Sequence, residues 1–168
     1  MPIYLRFFDT AFPRLGSPHV RRVARALLLN EKGEVAIHTI HRDDMFGNQT
    51  YYETPGGGVE GGESFEEGLI RECEEETGYR IRVQEFLGEV VDEYALIGRT
   101  NINRYYLATI VEKVGVHFAS QGDSYIEKTD FYPPEVVLSL YQSMSEEGVS
   151  GLVKRRELPF LEALSKRK

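Results

Sequence analysis

The chain has 168 residues, 41% of them hydrophobic, which is enough to bury a full core within one domain spanning residues 1–168. Acidic residues outnumber basic ones by 27 to 20, and the formal net charge of -7 argues against a broad basic surface for nucleic acid or acidic membranes. The lone cysteine excludes an internal disulfide and fits a reducing interior; with no secretion-type signal over Met1–Phe7 and no apolar run long enough to span a membrane, a cytoplasmic protein is expected.

Along the chain, Tyr4–Phe7 reads as a short strand, and Gly16-Ser17-Pro18 as a turn into a strand over Val20–Leu29. Asn30–Gly33 has the composition of a hairpin turn with Val35–Ile40 as the partner strand, after which His41–Thr50 reads as a polar loop able to shape the rim of a site. Further on, Ile81–Tyr94 and Ile102–Val111 are expected as strands joined around Gly98, with a third segment near Tyr125–Tyr132. Pro133-Pro134 precede helices expected over Glu135–Met144 and Leu152–Leu164, the second broken or kinked at Pro159. That order of strands, helix, strands and helices fits an α+β or mixed α/β layer arrangement.

The most informative stretch is Gly57–Tyr79. Ser64, followed three residues later by Glu67, reads as a capping box in which side-chain oxygens take up free backbone N–H groups, so a helix should begin at Phe65. Gly78 can adopt the left-handed conformation that ends it after Thr77. At roughly 100° per residue, Phe65, Leu69 and Cys73 form an apolar stripe, and Glu72, Glu75 and Glu76 share an arc beside it. Glu66, Glu67 and Glu74 fall elsewhere and are expected in solvent. Gly68 lowers helix propensity by about 1 kcal/mol relative to Ala, and its bare position one turn before Glu72 is expected to leave room for a ligand.

Three crowded carboxylates repel one another, and a hard divalent cation removes the conflict. Oxygen-only ligands suit Mg2+, with Mn2+ able to substitute, rather than Zn2+. Arg71 can screen the cluster or pair with Glu63 from the preceding loop. That loop, Thr54–Gly62, is glycine-rich, so its backbone can approach phosphate oxygens or offer a carbonyl to a metal.

Outside this stretch the histidines, His38 and His41 on opposite strand faces and the isolated His19 and His117, are not expected to build a metal site. Tyr51, Tyr52, Tyr94, Tyr105 and Tyr106 are expected as core or edge residues rather than base-stacking platforms. Arg21, Arg22 and Arg25 read as exposed sheet charge, although 21 and 25 share a face from which phosphates are reachable. Cys73 reads as core packing.

Gly57, Glu63, Arg71, Glu72, Glu75, Glu76 and Gly78, led by Pro55-Gly56-Gly57, resemble the signature of the Nudix hydrolases over residues 57–79. The resemblance implies an α/β/α sandwich around a mixed sheet and Mg2+-dependent hydrolysis of a phosphoanhydride in a nucleoside diphosphate linked to another moiety. It also implies that Glu72, Glu75, Glu76 and the Gly56 carbonyl bind metal, and that Glu63 pairs with Arg71. The proton-accepting carboxylate is then Glu75, Glu76 or an acidic residue outside the signature, for which Glu127 is the choice and Asp123 the alternative. Cys73 and Tyr79 depart from the aliphatic residues usual at their packing positions. Tyr94 stands where ADP-ribose hydrolases of the family often carry proline, which inclines the substrate toward a nucleoside triphosphate, intact or damaged, or a dinucleoside polyphosphate. A small nucleotide is thus the expected partner, with no nucleic acid or membrane. The competing readings are a Nudix-fold module that binds a nucleotide without cleaving it, and an isopentenyl diphosphate isomerase working through a cysteine and a glutamate.

Overall fold

The computed structural model describes residues 1–10, 13, 19–119 and 122–167, so the expected turn at Gly16-Ser17-Pro18 lies outside the described residues. In chain order the strands are β1 (Ile3–Arg6), β2 (His19–Leu29), β3 (Val35–Asp44), β4 (Gly47–Glu53) and β5 (Gly56–Gly58), followed by helix α1 (Phe65–Thr77). Then come β6 (Tyr79–Tyr94), β7 (Arg99–Lys113), β8 (Ile126–Tyr132), α2 (Pro134–Ser143) and α3 (Gly148–Ser165), with short 3-10 turns at Ala95–Ile97 and Gly122–Tyr125.

The strands form one mixed sheet in the order β1-β6-β7-β2-β3-β4, with β5 added on β2 and β8 on β3. β1 runs parallel to β6 and β2 parallel to β7; the other pairings are antiparallel. Alternation along β2 sends Ala24, Ala26 and Leu28 to one face, where they meet Leu69 and Cys73 of α1 and Ile81 and Tyr106 of the sheet. Leu27 points the other way, into a larger cluster with Ile37, Tyr105, Val137 and Tyr141 of α2, and Val153 and Phe160 of α3. Helices therefore cover both faces of a mixed sheet, the layered arrangement that the resemblance implies.

The turn after β2 forms as expected. Gly33 N–H donates to the Asn30 carbonyl at 3.0 Å, and the Asn30 side-chain oxygen accepts from the backbone N–H groups of Lys32 and Glu34, each at 3.0 Å. Beyond it, however, β2 and β3 pair only at Leu29 and Val35. From there β2 takes β7 and β5 as neighbours while β3 takes β4 and β8, so the sheet forks, and the fork is where the candidate site lies.

Two expectations about elements are corrected. Residues 41–50 are not a loop: β3 continues to Asp44, Gly47 turns the chain at positive φ, and β4 pairs back from Asp44↔Gly47 through His41↔Thr50. The polar composition that suggested a loop belongs to a sheet-edge hairpin with solvent on one side. The last helix begins at Gly148, ahead of Leu152, and runs through Pro159 as one element. The proline ring removes one backbone donor, but Phe160 and Leu161 beside it are packed into the core and hold the helical path. Among the described residues no helix is long and apolar enough to cross a membrane.

Candidate active site

Helix α1 sets the geometry, and its ends are fixed locally. Ser64 Oγ accepts from Glu67 N–H at 3.1 Å while Glu67 Oε2 accepts from Ser64 N–H at 2.8 Å, and Gly78 closes the helix with a φ of 74°. Leu69 and Cys73 lock the inner face against the sheet, where burial pushes the Cys73 thiol well above its usual range. With the inner face fixed, Glu72 and Glu76 are carried to the fork, and both are buried.

The glycines of β5 let the chain pass close to these carboxylates. Gly56 N–H donates to Glu76 Oε2 at 2.9 Å, and a Cβ added at Gly57 would stand 2.5 Å from Glu72 Oε2. A third acidic group arrives from far along the chain: Asp123, in the turn that leads into β8, offers a carboxylate oxygen within 4.8 Å of those of Glu72 and Glu76. The antiparallel pairing of β8 with β3 brings it there. Burial, reinforced by the charge of Glu76, raises the Glu72 carboxyl to about 7 even though Arg71 pulls the other way.

Arg71 ties the loop to the helix. Its Nε and Nη2 meet the two oxygens of Glu63 at 2.9 and 3.0 Å, Nη2 also donates to the Gly58 carbonyl at 2.9 Å, and Nη1 reaches Glu72 Oε1 at 3.0 Å. This paired hydrogen bonding holds Glu63 below the ordinary carboxylate range. The expected Glu63–Arg71 pair is therefore present. Glu75 stands at the edge, 3.5 Å from Arg71 Nη1, and is not among the three groups that converge.

Other expected residues are placed differently. Glu127 is exposed on β8 and does not join Glu72 and Glu76, whereas the alternative, Asp123, does. A register shift in the β8–β3 pairing accounts for this: Lys128 pairs with Thr39 and Ile126 with Ile40, so Glu127 is the extra, unpaired residue between them and stays in solvent. The room expected beside Gly68 is filled by Val59, whose Cγ2 would lie 3.1 Å from a Cβ at that position, so this glycine serves loop packing. Arg25 is not exposed sheet charge: its Nη2 meets Glu53 at 2.8 Å inside the fold, and although burial alone would lower its guanidinium pKa, Glu53 reverses the sign.

Sequence reasoning weighed His38 only as a metal ligand and missed its contact with Glu76. Its Nε2 lies 2.9 Å from Glu76 Oε2 and its Nδ1 2.7 Å from Thr129 Oγ1. An ionised carboxylate only accepts, so Nε2 carries a proton toward Glu76, while the threonine hydroxyl, able to donate or accept, holds the other ring nitrogen. The available signal was a polar residue within the apolar run Val35–Ile40. A buried network below the fork was equally hidden: Arg156 of α3 meets Glu53 at 2.7 Å and Asp92 at 3.0 Å. Beside it, Glu157 accepts from Thr54 N–H at 3.0 Å, Thr54 Oγ1 at 2.9 Å and Tyr141 OH at 2.5 Å. This network anchors the residues just before β5.

The resulting cavity, about 410 Å³, is lined by Glu72, Glu76 and Asp123 and also by Arg21, Arg25, Arg42 and Arg99. Phe46, Tyr94 and Tyr125 add aromatic surface, so Tyr94 belongs to the cleft, whereas Tyr105 is packed in the core against Phe160.

The sequence profile of the NUDIX domain matches residues 19–149, a span that includes every one of these groups except those of α3 beyond Val149. The chain belongs to the NUDIX family. A Bacillus subtilis (strain 168) protein named "Putative 8-oxo-dGTP diphosphatase YtkD" is 37% identical over 75 residues, a match covering 42% of this chain and 45% of that protein. Among solved structures, a MutT protein from Methanosarcina mazei Go1 aligns over 91% of this chain and 99% of its own, with 23% identity and a TM-score of 0.64. A NUDIX hydrolase from Nitrosomonas europaea aligns over 89% and 92%, with 17% identity and a TM-score of 0.65. At those identities the two structures share the NUDIX fold with this chain.

Proposed function

We propose that this NUDIX protein is a Mg2+-dependent hydrolase that cleaves a phosphoanhydride bond in a nucleoside diphosphate linked to another moiety. The observation that carries the reading is the meeting of Glu72, Glu76 and Asp123 in a cleft also lined by arginines. Nucleoside triphosphates, intact or damaged, and dinucleoside polyphosphates are the substrates to test first. The diphosphatase name of the B. subtilis relative supports the triphosphate choice, although the match spans less than half of that protein. The buried thiol supports a cytoplasmic setting.

The donor set fits the ion. Three converging carboxylates suit Mg2+ or Mn2+, and the burial and Glu76 charge that raise the Glu72 carboxyl are what a bound cation would offset. Held by Glu72, Glu76 and Asp123, with the Gly56 carbonyl as a further ligand, the ion would supply charge that polarises a phosphoryl oxygen and acidifies a nearby water. Arg71 fixes Glu72 and anchors Glu63. Two donors on Glu76 Oε2 leave its other oxygen to face the cleft. We assign proton acceptance to Glu75, which meets Arg71 through Oε2 alone at a long 3.5 Å and is outside the converging trio. Cys73, sealed in the core, cannot reach a substrate, which speaks against the isomerase reading.

The test is to incubate the purified protein with Mg2+ and a nucleotide panel and measure released phosphate or pyrophosphate. Glu76→Gln and Asp123→Asn should each lower turnover by orders of magnitude, whereas Glu127→Gln should not. Binding without turnover on any member would replace the enzyme with a nucleotide-recognising module.

A further inference from the structure

Two of the four arginines in the cleft have no part in the arrangement described above. Arg25 is matched by Glu53 at 2.8 Å, and Arg42 Nε by Asp44 at 3.0 Å. Arg21 and Arg99 line the same cavity, yet among the described residues neither has a carboxylate within salt-bridge distance.

The fold holds this pair deliberately close. β2 and β7 run parallel with Arg21 opposite Asn101, so Arg99, two positions before Asn101, projects from the same face of the neighbouring strand as Arg21. Arg99 lies over the Tyr94 ring at 5.2 Å, and its Nε is shut off from solvent without a hydrogen-bond partner. Arg21 crosses β5 at Gly58, where an added Cβ would stand 2.9 Å from its Nη2, so a bare backbone is what lets it reach the cleft. Burial lowers the pKa of both guanidiniums, and at Arg21 the charge of Arg99 adds to it. Glu72 and Asp92 offset this only from beyond salt-bridge distance, and half-buried like charges without a directly paired carboxylate favour the arrival of an anion.

We propose that Arg21 and Arg99 form an anion subsite that takes a phosphate group of the substrate's polyphosphate chain. This rests on the metal-hydrolase reading of the same cleft. A lone carboxylate ligand would be repelled by Glu72, Glu76 and Asp123, whereas a polyphosphate accompanied by a divalent cation satisfies both the acidic and the basic groups of the lining. The planar guanidinium fork also matches phosphate oxygens in pairs. These two residues thus grip a part of the substrate that does not react, in the ground state and the transition state alike.

The experiment compares Arg21→Gln and Arg99→Gln with Arg82→Gln, which removes an equal charge from an exposed position on β6. Calorimetric titration of inorganic tripolyphosphate in Mg2+ should show Kd raised by about tenfold or more in the first two variants and unchanged in the control. With a nucleoside triphosphate, KM should rise by a similar factor while kcat stays within about threefold, the mark of uniform binding. Thermal midpoints should equal or exceed that of the parent protein, because repulsion has been relieved. Wild-type tripolyphosphate affinity would overturn the subsite, and so would a clear fall in thermal midpoint in both variants, which would make the pair structural. Weaker tripolyphosphate or orthophosphate binding with unchanged KM would overturn it too, by assigning the site to free phosphate. Glu76→Gln separates the two claims: retained hydrolysis there defeats the metal reading, while tripolyphosphate binding in the arginine variants decides the subsite.

Discussion

Removing the Arg156 side chain tests whether the buried ionic network supports the site from beneath. Arg156 is 2% exposed and Asp92 0%, and the guanidinium joins α3 to both β4 and β6 through Glu53 and Asp92. In Arg156→Met, Glu53 keeps Arg25 at 2.8 Å, but Asp92 keeps only the side-chain amides of Asn101 and Asn103, at 3.0 and 3.2 Å. One anion is then stranded in the core. Truncating one partner of a buried pair removes about 3–5 kcal/mol, and because Glu53 stays matched the loss here should sit near the lower end, about 3 kcal/mol. For a chain of this size that lowers the thermal midpoint by roughly 6–12 °C. Adding Asp92→Asn removes the stranded charge and should restore at least about 1 kcal/mol, a non-additive gain that a double-mutant cycle reads directly. Urea and thermal unfolding of the four proteins at neutral pH supply the numbers. A loss below about 1 kcal/mol in Arg156→Met, or no recovery in the double variant, would refute the reasoning.

Three further outcomes are expected. Gly57→Ala should fold but force the Glu72 carboxylate back by about 1 Å from an intruding methyl group, lowering kcat about 100-fold with little change in thermal midpoint; wild-type turnover would contradict the packing. His38→Leu should weaken Mn2+ binding, read by electron paramagnetic resonance, by about 10–100-fold, with His38→Gln recovering part of it through its amide N–H; equal affinity in all three proteins would deny His38 a positioning role. Because Glu72 is raised to about 7 from 4.5, the metal-free folded protein binds a proton that the unfolded chain has lost. Its stability should therefore fall as pH climbs through that window, and metal affinity should rise with pH and level off above about 7. A flat affinity between pH 5 and 7 would rule this out.

What could be read from the sequence was whatever is decided within a few residues. The capping box, the span of α1 and the stripe of Leu69 and Cys73 follow from local spacing, the Glu63–Arg71 pair from the resemblance, and the structure contains each. His38 and Glu76 are 38 positions apart, and Glu157 meets Thr54 across 103. No periodicity encodes such meetings, because they depend on how β3 leaves β2 after a single pairing. Asp123 and Glu127 looked alike for the same reason: only the pairing of β8 with β3 decides which one enters the cleft. The hairpin over residues 41–50 was hidden because an edge strand can be polar, and Pro159 does not break the last helix because core packing outweighs one lost donor.

The grip of Glu157 on Thr54 has a consequence for biosynthesis. During translation the glycine strand and its acidic helix leave the ribosome long before α3, and until that helix docks the segment in front of Gly56 is held only from the sheet side, by Arg25 and Ala26, without the carboxylate that fixes Thr54 from below. A nascent chain should thus acquire its ion-binding ability late, after Glu157 has emerged, leaving an inert intermediate for most of its time on the ribosome.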